Sequence, residues 1–183
     1  TLLAAHFSSG SVSTLALGDD GSVGAVASSL VHIGFGPHRR QSSPHAHGVA
    51  LDPSGQFALV ADMGADRLFV HGFDRSTRQL TVDTASPPRA LAVPPGSGPR
   101  HLVFSVDGRF VYLLNELAAD LNVLRWNPAD GRLVPIQRLS MSSPGFLGTP
   151  SGSAIERSAD GRFLYVANRG EQQLLAYRID TRT

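Results

Sequence analysis

The feature that most constrains how this chain can fold is a sequence repeat with a period of 53 residues. Three segments align without gaps, namely residues 47–74, 100–127 and 153–180. One aromatic position shows the register and holds Phe57, Phe110 and Phe163. A fainter copy lies upstream at an offset of 56 residues, so the chain contains about three and a half units. A period of this length is typical of proteins built from consecutive copies of one supersecondary unit.

Each unit carries the signals of four short strands, and no segment shows a sustained helical period. The first strand ends in a tight turn with glycine in second place, a strong hairpin signal; these turns are Ser54-Gly55, Asp107-Gly108 and Asp160-Gly161. The second strand is a nearly continuous apolar run, which indicates burial on both faces, and we predict it at 57–61, 110–114 and 163–167. The third strand alternates more, and we predict it at 68–73, 121–126 and 174–179. The fourth is weaker and is expected near 80–82 and 133–136.

Four short strands in about 50 residues predict one blade of a β-propeller. The fold class is therefore all-β, with residues 1–183 forming a single domain that is a propeller fragment of four-stranded blades. We place the blade units at approximately 1–40, 41–93, 94–146 and 147–183. A β-sandwich is the competing fold, but sandwiches do not repeat without gaps at this length. Because three and a half blades leave sheet edges open, we expect the chain to be an internal segment of a longer protein.

The charge and composition exclude several classes of function. Sixteen basic and fifteen acidic residues give a net charge of +1, which provides no field to attract nucleic acid or an anionic membrane. All the basic residues are arginine, so lysine chemistry is absent, and the lack of cysteine excludes disulfides and thiolate nucleophiles. No run is long enough to span a membrane as a helix. We expect a cytoplasmic protein, although a chain without cysteine also fits the periplasm.

Comparing the units distinguishes residues that support the fold from candidate functional residues. The first two strands of a blade run antiparallel, so the residue that precedes the first and the residue that follows the second lie at the same end of the blade. The former position holds His47, Arg100 and Ser153, and the latter holds Met63, Glu116 and Arg169. With the neighbouring His45 and His101, these polar residues should meet at one end of the central channel. A histidine beside a carboxylate and two arginines is a plausible acid–base pair with an anion clamp.

Other interpretations of the same residues stay open. Glu116 and Arg169 could form only an ion pair between neighbouring blades. The imidazoles of His45 and His47 lie on one face of an extended strand and could bind zinc, although no clear third ligand accompanies them. Asn115 and Asn168 match Asp62, which favours a role in capping a turn. The two asparagines are also candidates for substrate binding.

Several motifs resemble the bacterial seven-bladed β-propeller lactonase family, which includes propeller-type 6-phosphogluconolactonases and is similar to fungal carboxy-cis,cis-muconate cyclases. The motifs are PHAH at 44–47, PPGSGPRH at 94–101, NEL at 115–117 and GRFLYVANRG at 161–170. The resemblance covers the whole chain and implies that just over half of a seven-bladed ring is present. It also implies that catalysis uses His47 (or His45), Arg100, Glu116 and Arg169.

The resemblance implies hydrolysis of a sugar lactone, with 6-phosphogluconolactone as the first candidate and no cofactor or metal. The expected partner is a small anionic lactone, bound by Arg169 with His45 and His101, while His47 or Glu116 acts as the base and Arg100 stabilises the oxyanion. Two alternatives remain. One is reversible lactonisation of a carboxy-muconate-type dicarboxylate, and the other is a non-catalytic propeller that binds a ligand or a protein at the same rim.

Overall fold

The computed structural model describes residues 1–180, and its regular elements over that range are β-strands. None of the described residues belongs to a helix long and apolar enough to cross a membrane. The strands are β1 (Leu2–His6), β2 (Ser11–Leu17), β3 (Val23–Val31), β4 (Ala46–Leu51), β5 (Phe57–Asp62), β6 (Arg67–Asp74), β7 (Gln79–Thr81), β8 (Leu91–Ala92), β9 (Pro99–Phe104), β10 (Phe110–Asn115), β11 (Asp120–Asn127), β12 (Arg132–Ser140), β13 (Gly152–Arg157), β14 (Phe163–Asn168) and β15 (Gln173–Arg178).

The strands form four antiparallel sheets that follow one another along the chain. The first contains β1–β3, the second β4–β7 with β8 added beside β6, the third β9–β12 and the fourth β13–β15. Neighbouring sheets meet through their innermost strands, because β1 packs on β4, β4 on β9 and β9 on β13. Consecutive sheets arranged side by side in this way are the blades of a propeller. The predicted all-β propeller fragment is confirmed.

The 53-residue period is visible in the backbone. Strands β4, β9 and β13 begin 53 residues apart, and the same holds for the second and third strands of each unit. The predicted glycine turns are confirmed, since Gly55, Gly108 and Gly161 adopt φ of 70°, 70° and 71°, values that glycine reaches without strain. The turn between the second and third strands repeats as well: its residues with positive φ are Asp66 (48°), Ala119 (45°) and Gln172 (55°).

The core consists of three apolar layers, each lying between two neighbouring sheets. Strand β5 supplies two of them, because its alternate residues point to opposite faces: Leu59 and Ala61 pack towards the third sheet, Ala58 and Val60 towards the first. The third layer lies between the third and fourth sheets. Burial on both faces is thus confirmed for β5 and β10. In β14, Tyr165 is exposed because no further sheet covers that face within residues 1–180.

The fourth strands differ most from expectation. In the third sheet, β12 is nine residues long and extends well beyond the predicted 133–136. In the second sheet this edge is divided between β7 and β8, which pair with opposite ends of β6. The connection at 82–90 contains Pro87 and Pro88. Proline has no N–H to donate to a sheet, which accounts for the interruption.

Candidate active site

Glu116 is the centre of the candidate site, and its main chain ties together parts of two blades. It directly follows β10, and its N–H donates to the carbonyl of Gly98 (2.7 Å) while its carbonyl accepts from the N–H of Gly152 (2.9 Å). Its side chain is only 1% exposed. A buried carboxylate is costly unless charged or hydrogen-bonding groups surround it.

Three arginines and one histidine surround the Glu116 carboxylate. Oε1 accepts hydrogen bonds from Arg40 Nη1 (2.6 Å) and Arg169 Nη2 (2.8 Å), and Oε2 accepts one from Arg100 Nε (3.0 Å). His47 Nε2 lies 3.7 Å from Oε2. We call these five residues the Glu116 cluster. The structure therefore brings together His47, Arg100, Glu116 and Arg169, the four residues predicted to be catalytic.

Electrostatics keep Glu116 ionised. Burial by itself would raise the pKa of its carboxyl, but the hydrogen bond from Arg40 and the charges of Arg40, Arg169 and Arg100 outweigh that effect. The pKa of Glu116 is therefore below its usual value. Both carboxylate oxygens already accept charged hydrogen bonds, so the group is better suited to holding arginines in place than to taking a proton.

Arg100 is the most constrained of the three arginines. Its side chain is 16% exposed, and besides Glu116 its guanidinium donates to the carbonyl of Ser153 in the next blade. The same Nη1 lies 3.1 Å from Nδ1 of His101. Burial, the adjacent Arg100 and His47 together lower the pKa of His101 to about 4. His101 is consequently neutral at pH 7 and can accept a hydrogen bond from the guanidinium.

His47 is the histidine of the Glu116 cluster, and part of its side chain reaches solvent. Its side chain is 19% exposed and contacts the rings of His101 and Phe7 edge-on, at centroid distances of 5.2 and 5.3 Å. Burial lowers the pKa of His47, and Arg100 and Arg169 lower it further against the opposing effect of Glu116. A neutral imidazole beside a carboxylate can take up a proton and be stabilised when charged.

His45, by contrast, faces a different group. Its ring stacks on Phe7 at 4.5 Å, and its Nδ1 lies 2.9 Å from the Phe7 carbonyl oxygen. Of the two histidines in the PHAH motif, the structure therefore places His47 against Glu116. Within residues 1–180, no group of three or more histidine, cysteine, aspartate or glutamate side chains could hold a metal ion, so the His45 and His47 pair has no third ligand there.

Asn115 and Asn168 lie beneath the rim rather than on it. Both side chains are fully buried. Asn115 donates from Nδ2 to Asp120 (2.6 Å), and Asn168 donates to the Met141 carbonyl (3.1 Å) and accepts from the N–H of Gly170 (3.1 Å). These contacts are those of residues that support a turn. The geometry favours that role over substrate binding for both asparagines.

Sequence comparison did not identify Arg40, which lies in the connection before β4 and outside the aligned repeats. Its position depends on Gln41, a fully buried residue whose Nε2 donates to the Met63 carbonyl (2.7 Å) and whose Oε1 accepts from the N–H of His38 (3.0 Å). The sequence signal that could have found it is the Arg39-Arg40 pair just upstream of the PHAH motif.

The Glu116 cluster carries excess positive charge at one end of the blades. Three guanidinium groups face one carboxylate, while His47 and His101 are neutral at pH 7. The side chains of Arg40 and Arg169 are 42% and 51% exposed. Each therefore retains N–H donors that can bind an incoming anion, and arginine suits carboxylate and phosphate groups in particular.

Known proteins resemble this chain over its full length. Residues 1–183 match the family described as "Lactonase, 7-bladed beta-propeller". The 6-phosphogluconolactonase of Bacillus subtilis (strain 168) is 34% identical over 179 residues, covering 98% of this chain and 49% of that protein. The periplasmic gluconolactonase of Pseudomonas aeruginosa has a TM-score of 0.88 at 39% identity, with coverage of 98% and 50%. A Lactobacillus plantarum protein has a TM-score of 0.89 at 28% identity, with the same coverage.

The four sheets and the Glu116 cluster define a segment of a β-propeller with a positively charged group of side chains at one end of its blades. The chain belongs to the seven-bladed β-propeller lactonase family. It spans about half the length of the curated relatives that it matches.

Proposed function

We propose that this chain forms part of a lactonase that hydrolyses a sugar lactone, with 6-phosphogluconolactone as the first candidate substrate. The observation that carries the proposal is the buried Glu116 carboxylate, which fixes three arginines beside the neutral imidazole of His47. The relatives named as 6-phosphogluconolactonase and gluconolactonase support the same reaction class. The proposal concerns the full-length protein.

The proposed reaction assigns a separate task to each member of the cluster. His47 accepts a proton from water as the water oxygen attacks the lactone carbonyl carbon. Arg100 stabilises the resulting oxyanion, an interaction that can lower a barrier by about 3 kcal/mol when the donor is held in place. The bond between the carbonyl carbon and the ring oxygen then breaks, and the ring oxygen takes the proton back from His47. The product is the open hydroxy acid.

Arg40 and Arg169 bind the anionic part of the substrate in this proposal. Both donate to Oε1 of Glu116 and both are about half exposed, so they share one side of the carboxylate. Glu116 acts as a positioning residue, because its pKa is too low for an effective base at neutral pH. His45 and His101 remain candidates for substrate binding beside the cluster: His101 contacts the His47 ring, and His45 stacks on Phe7.

Lactone hydrolysis by the full-length protein tests this proposal. We expect turnover of 6-phosphogluconolactone, and a loss of at least about 100-fold in kcat for Arg100→Ala. Arg125→Ala is the matched control, because Arg125 is exposed on β11 away from the cluster, and it should retain full activity. If Arg100→Ala and Glu116→Gln both leave kcat unchanged, the assignment fails.

One observation favours a second candidate, the lactonising cyclase reaction on a carboxy-muconate-type dicarboxylate. Arg40 and Arg169 present two separate guanidinium groups, which fit two carboxylates as well as one phosphate. Side-by-side measurements of kcat/KM on the two substrates distinguish the candidates. Binding of either anion without turnover would indicate a non-catalytic propeller instead.

We further propose that the reaction needs no metal, since the arginines supply the positive charge that the oxyanion requires. Dialysis of the full-length protein against a chelator should leave kcat/KM unchanged.

The cytoplasm stays the predicted compartment. Because the Pseudomonas aeruginosa relative is described as periplasmic, cell fractionation is the appropriate test.

A further inference from the structure

A second group of titratable side chains lies between the first and second sheets, apart from the Glu116 cluster. At one place in each layer between sheets, a residue donates its N–H to a turn between two strands of one sheet, namely the β1–β2, β5–β6 or β10–β11 turn. These bonds run from His32 to Gly10 (2.9 Å), from Val93 to Asp66 (3.1 Å) and from Met141 to Ala119 (2.9 Å). Valine and methionine fill apolar layers there, whereas the first layer has an imidazole.

The second sheet, which faces His32 across the same layer, also departs from the repeat. His71 occupies the position that Leu124 occupies one unit later, and both histidines are buried, at 4% exposure for His32 and 6% for His71. Burying two imidazoles where the next unit has apolar side chains costs stability unless their nitrogen atoms are hydrogen-bonded.

The two histidines and Asp62 form a hydrogen-bonded chain with one open end. Asp62 Oδ2 lies 2.8 Å from His32 Nδ1, and His32 Nε2 lies 3.1 Å from His71 Nε2. In one arrangement of the ring tautomers, His32 donates from Nδ1 to the carboxylate and His71 donates from Nε2 to His32. Nδ1 of His71 is then left with a lone pair, and it has no hydrogen-bond partner within residues 1–180.

His71 stays neutral near pH 7. Burial and the neighbouring His32 lower its pKa to about 4, against the opposing effect of Asp83. In the tautomer in which Nε2 of His71 donates to His32, Nδ1 is an acceptor, and a buried acceptor without a donor is costly. The missing partner must carry an O–H or N–H group.

A cavity of about 580 Å³ lies beside the two histidines, and a ligand bound in it would supply the missing donor. His32, Phe69 and His71 line it together with two charged residues, Arg67 and Asp83, and with apolar residues, among them Ile33, Phe35 and Val82. This volume falls in the range of small-molecule sites. Three of the rings are nearly parallel: Phe69 lies 24° from His32 and 6° from His71, and His32 lies 19° from His71. Aromatic side chains that line a cavity favour an aromatic ligand.

We propose that this cavity binds a small phenol, whose ring packs against the apolar and aromatic walls and whose hydroxyl donates a hydrogen bond to Nδ1 of His71. The site shares no residue with the Glu116 cluster. It does not depend on the proposed lactonase activity.

Phenol and toluene are the probes, because a methyl group replaces the hydroxyl at nearly the same size. Toluene is the more apolar molecule, so burial alone would favour it. We expect calorimetry on the full-length protein to show phenol binding about five- to tenfold more tightly than toluene. The ¹⁵N resonance of His71 Nδ1 should shift with phenol and not with toluene.

His71→Leu, which introduces the residue of the next unit, should reverse the preference so that toluene binds more tightly than phenol. His6→Leu at an exposed histidine is the matched control and should leave both affinities unchanged. Lactone turnover should be normal in both variants. Equal or weaker binding of phenol by the unmodified protein would overturn the proposal. A structure at saturating phenol in which water or the protein's own residues fill the cavity would also overturn it.

Discussion

Replacing Glu116 by glutamine removes one charge from the centre of the cluster and changes almost nothing in size. Glu116→Gln leaves three guanidinium groups around a neutral amide. The hydrogen bond to Arg100, which is mostly buried, contributes about 2 kcal/mol. The bonds to Arg40 and Arg169 contribute about 0.5 kcal/mol each, because both arginines are half exposed and solvent screens them. We therefore expect the free energy of unfolding to fall by about 3 kcal/mol.

Denaturant unfolding of the full-length protein measures this loss, with Glu156→Gln as the control at an exposed carboxylate on β13. The effect also has a defined pH dependence. The pKa of Glu116 is lower in the folded protein than its unfolded value of about 4.3. Its stabilisation is thus complete above about pH 4.3 and disappears as the pH falls through the lower folded value. The difference between the two proteins should shrink in acid. A loss below about 0.5 kcal/mol at pH 7 would refute the structural role of Glu116.

Four further predictions follow from the same contacts. The fall of kcat/KM in acid should have its midpoint below about pH 6.5, because the neutral form of His47 is active and the pKa of His47 is lowered. In Glu116→Gln this midpoint should move to a still lower pH, since Glu116 is the charged group that raises the His47 pKa. Arg40→Ala should raise KM about tenfold with little change in kcat, whereas Arg39→Ala should leave both unchanged. Gly48→Ala should destabilise the fold by about 2 kcal/mol, measured by thermal unfolding, because its Cβ would lie 2.6 Å from the Arg100 carbonyl oxygen.

The first three strands of each unit could be predicted because their signals are local. Apolar runs and glycine turns recur at a constant spacing. The second and third strands of the aligned units begin within one residue of their predicted starts. The fourth strands were located correctly near 80–82 and 133–136, but the length of β12 and the additional strand β8 were not predicted. Their extent depends on pairing with the third strand and on prolines in the connection, as the break between β7 and β8 shows.

The candidate site was predictable to the extent that it follows the repeat. Arg100, Glu116 and Arg169 stand at positions whose place in a blade is set by register alone, and comparison of units was enough to bring them together. Arg40 lies in an irregular connection, and the buried side chain of Gln41 fixes its place. Interactions of that kind between a loop and the blades leave no periodic trace in the sequence.

A crystal structure of the full-length protein with 6-phosphogluconate is the most direct test of the proposed site. The phosphate should lie within hydrogen-bond distance of Arg40 and Arg169, with the carboxylate next to Arg100 and His47. Finding the sugar acid at the other end of the blades, or finding these four side chains without contact to it, would contradict the assignment.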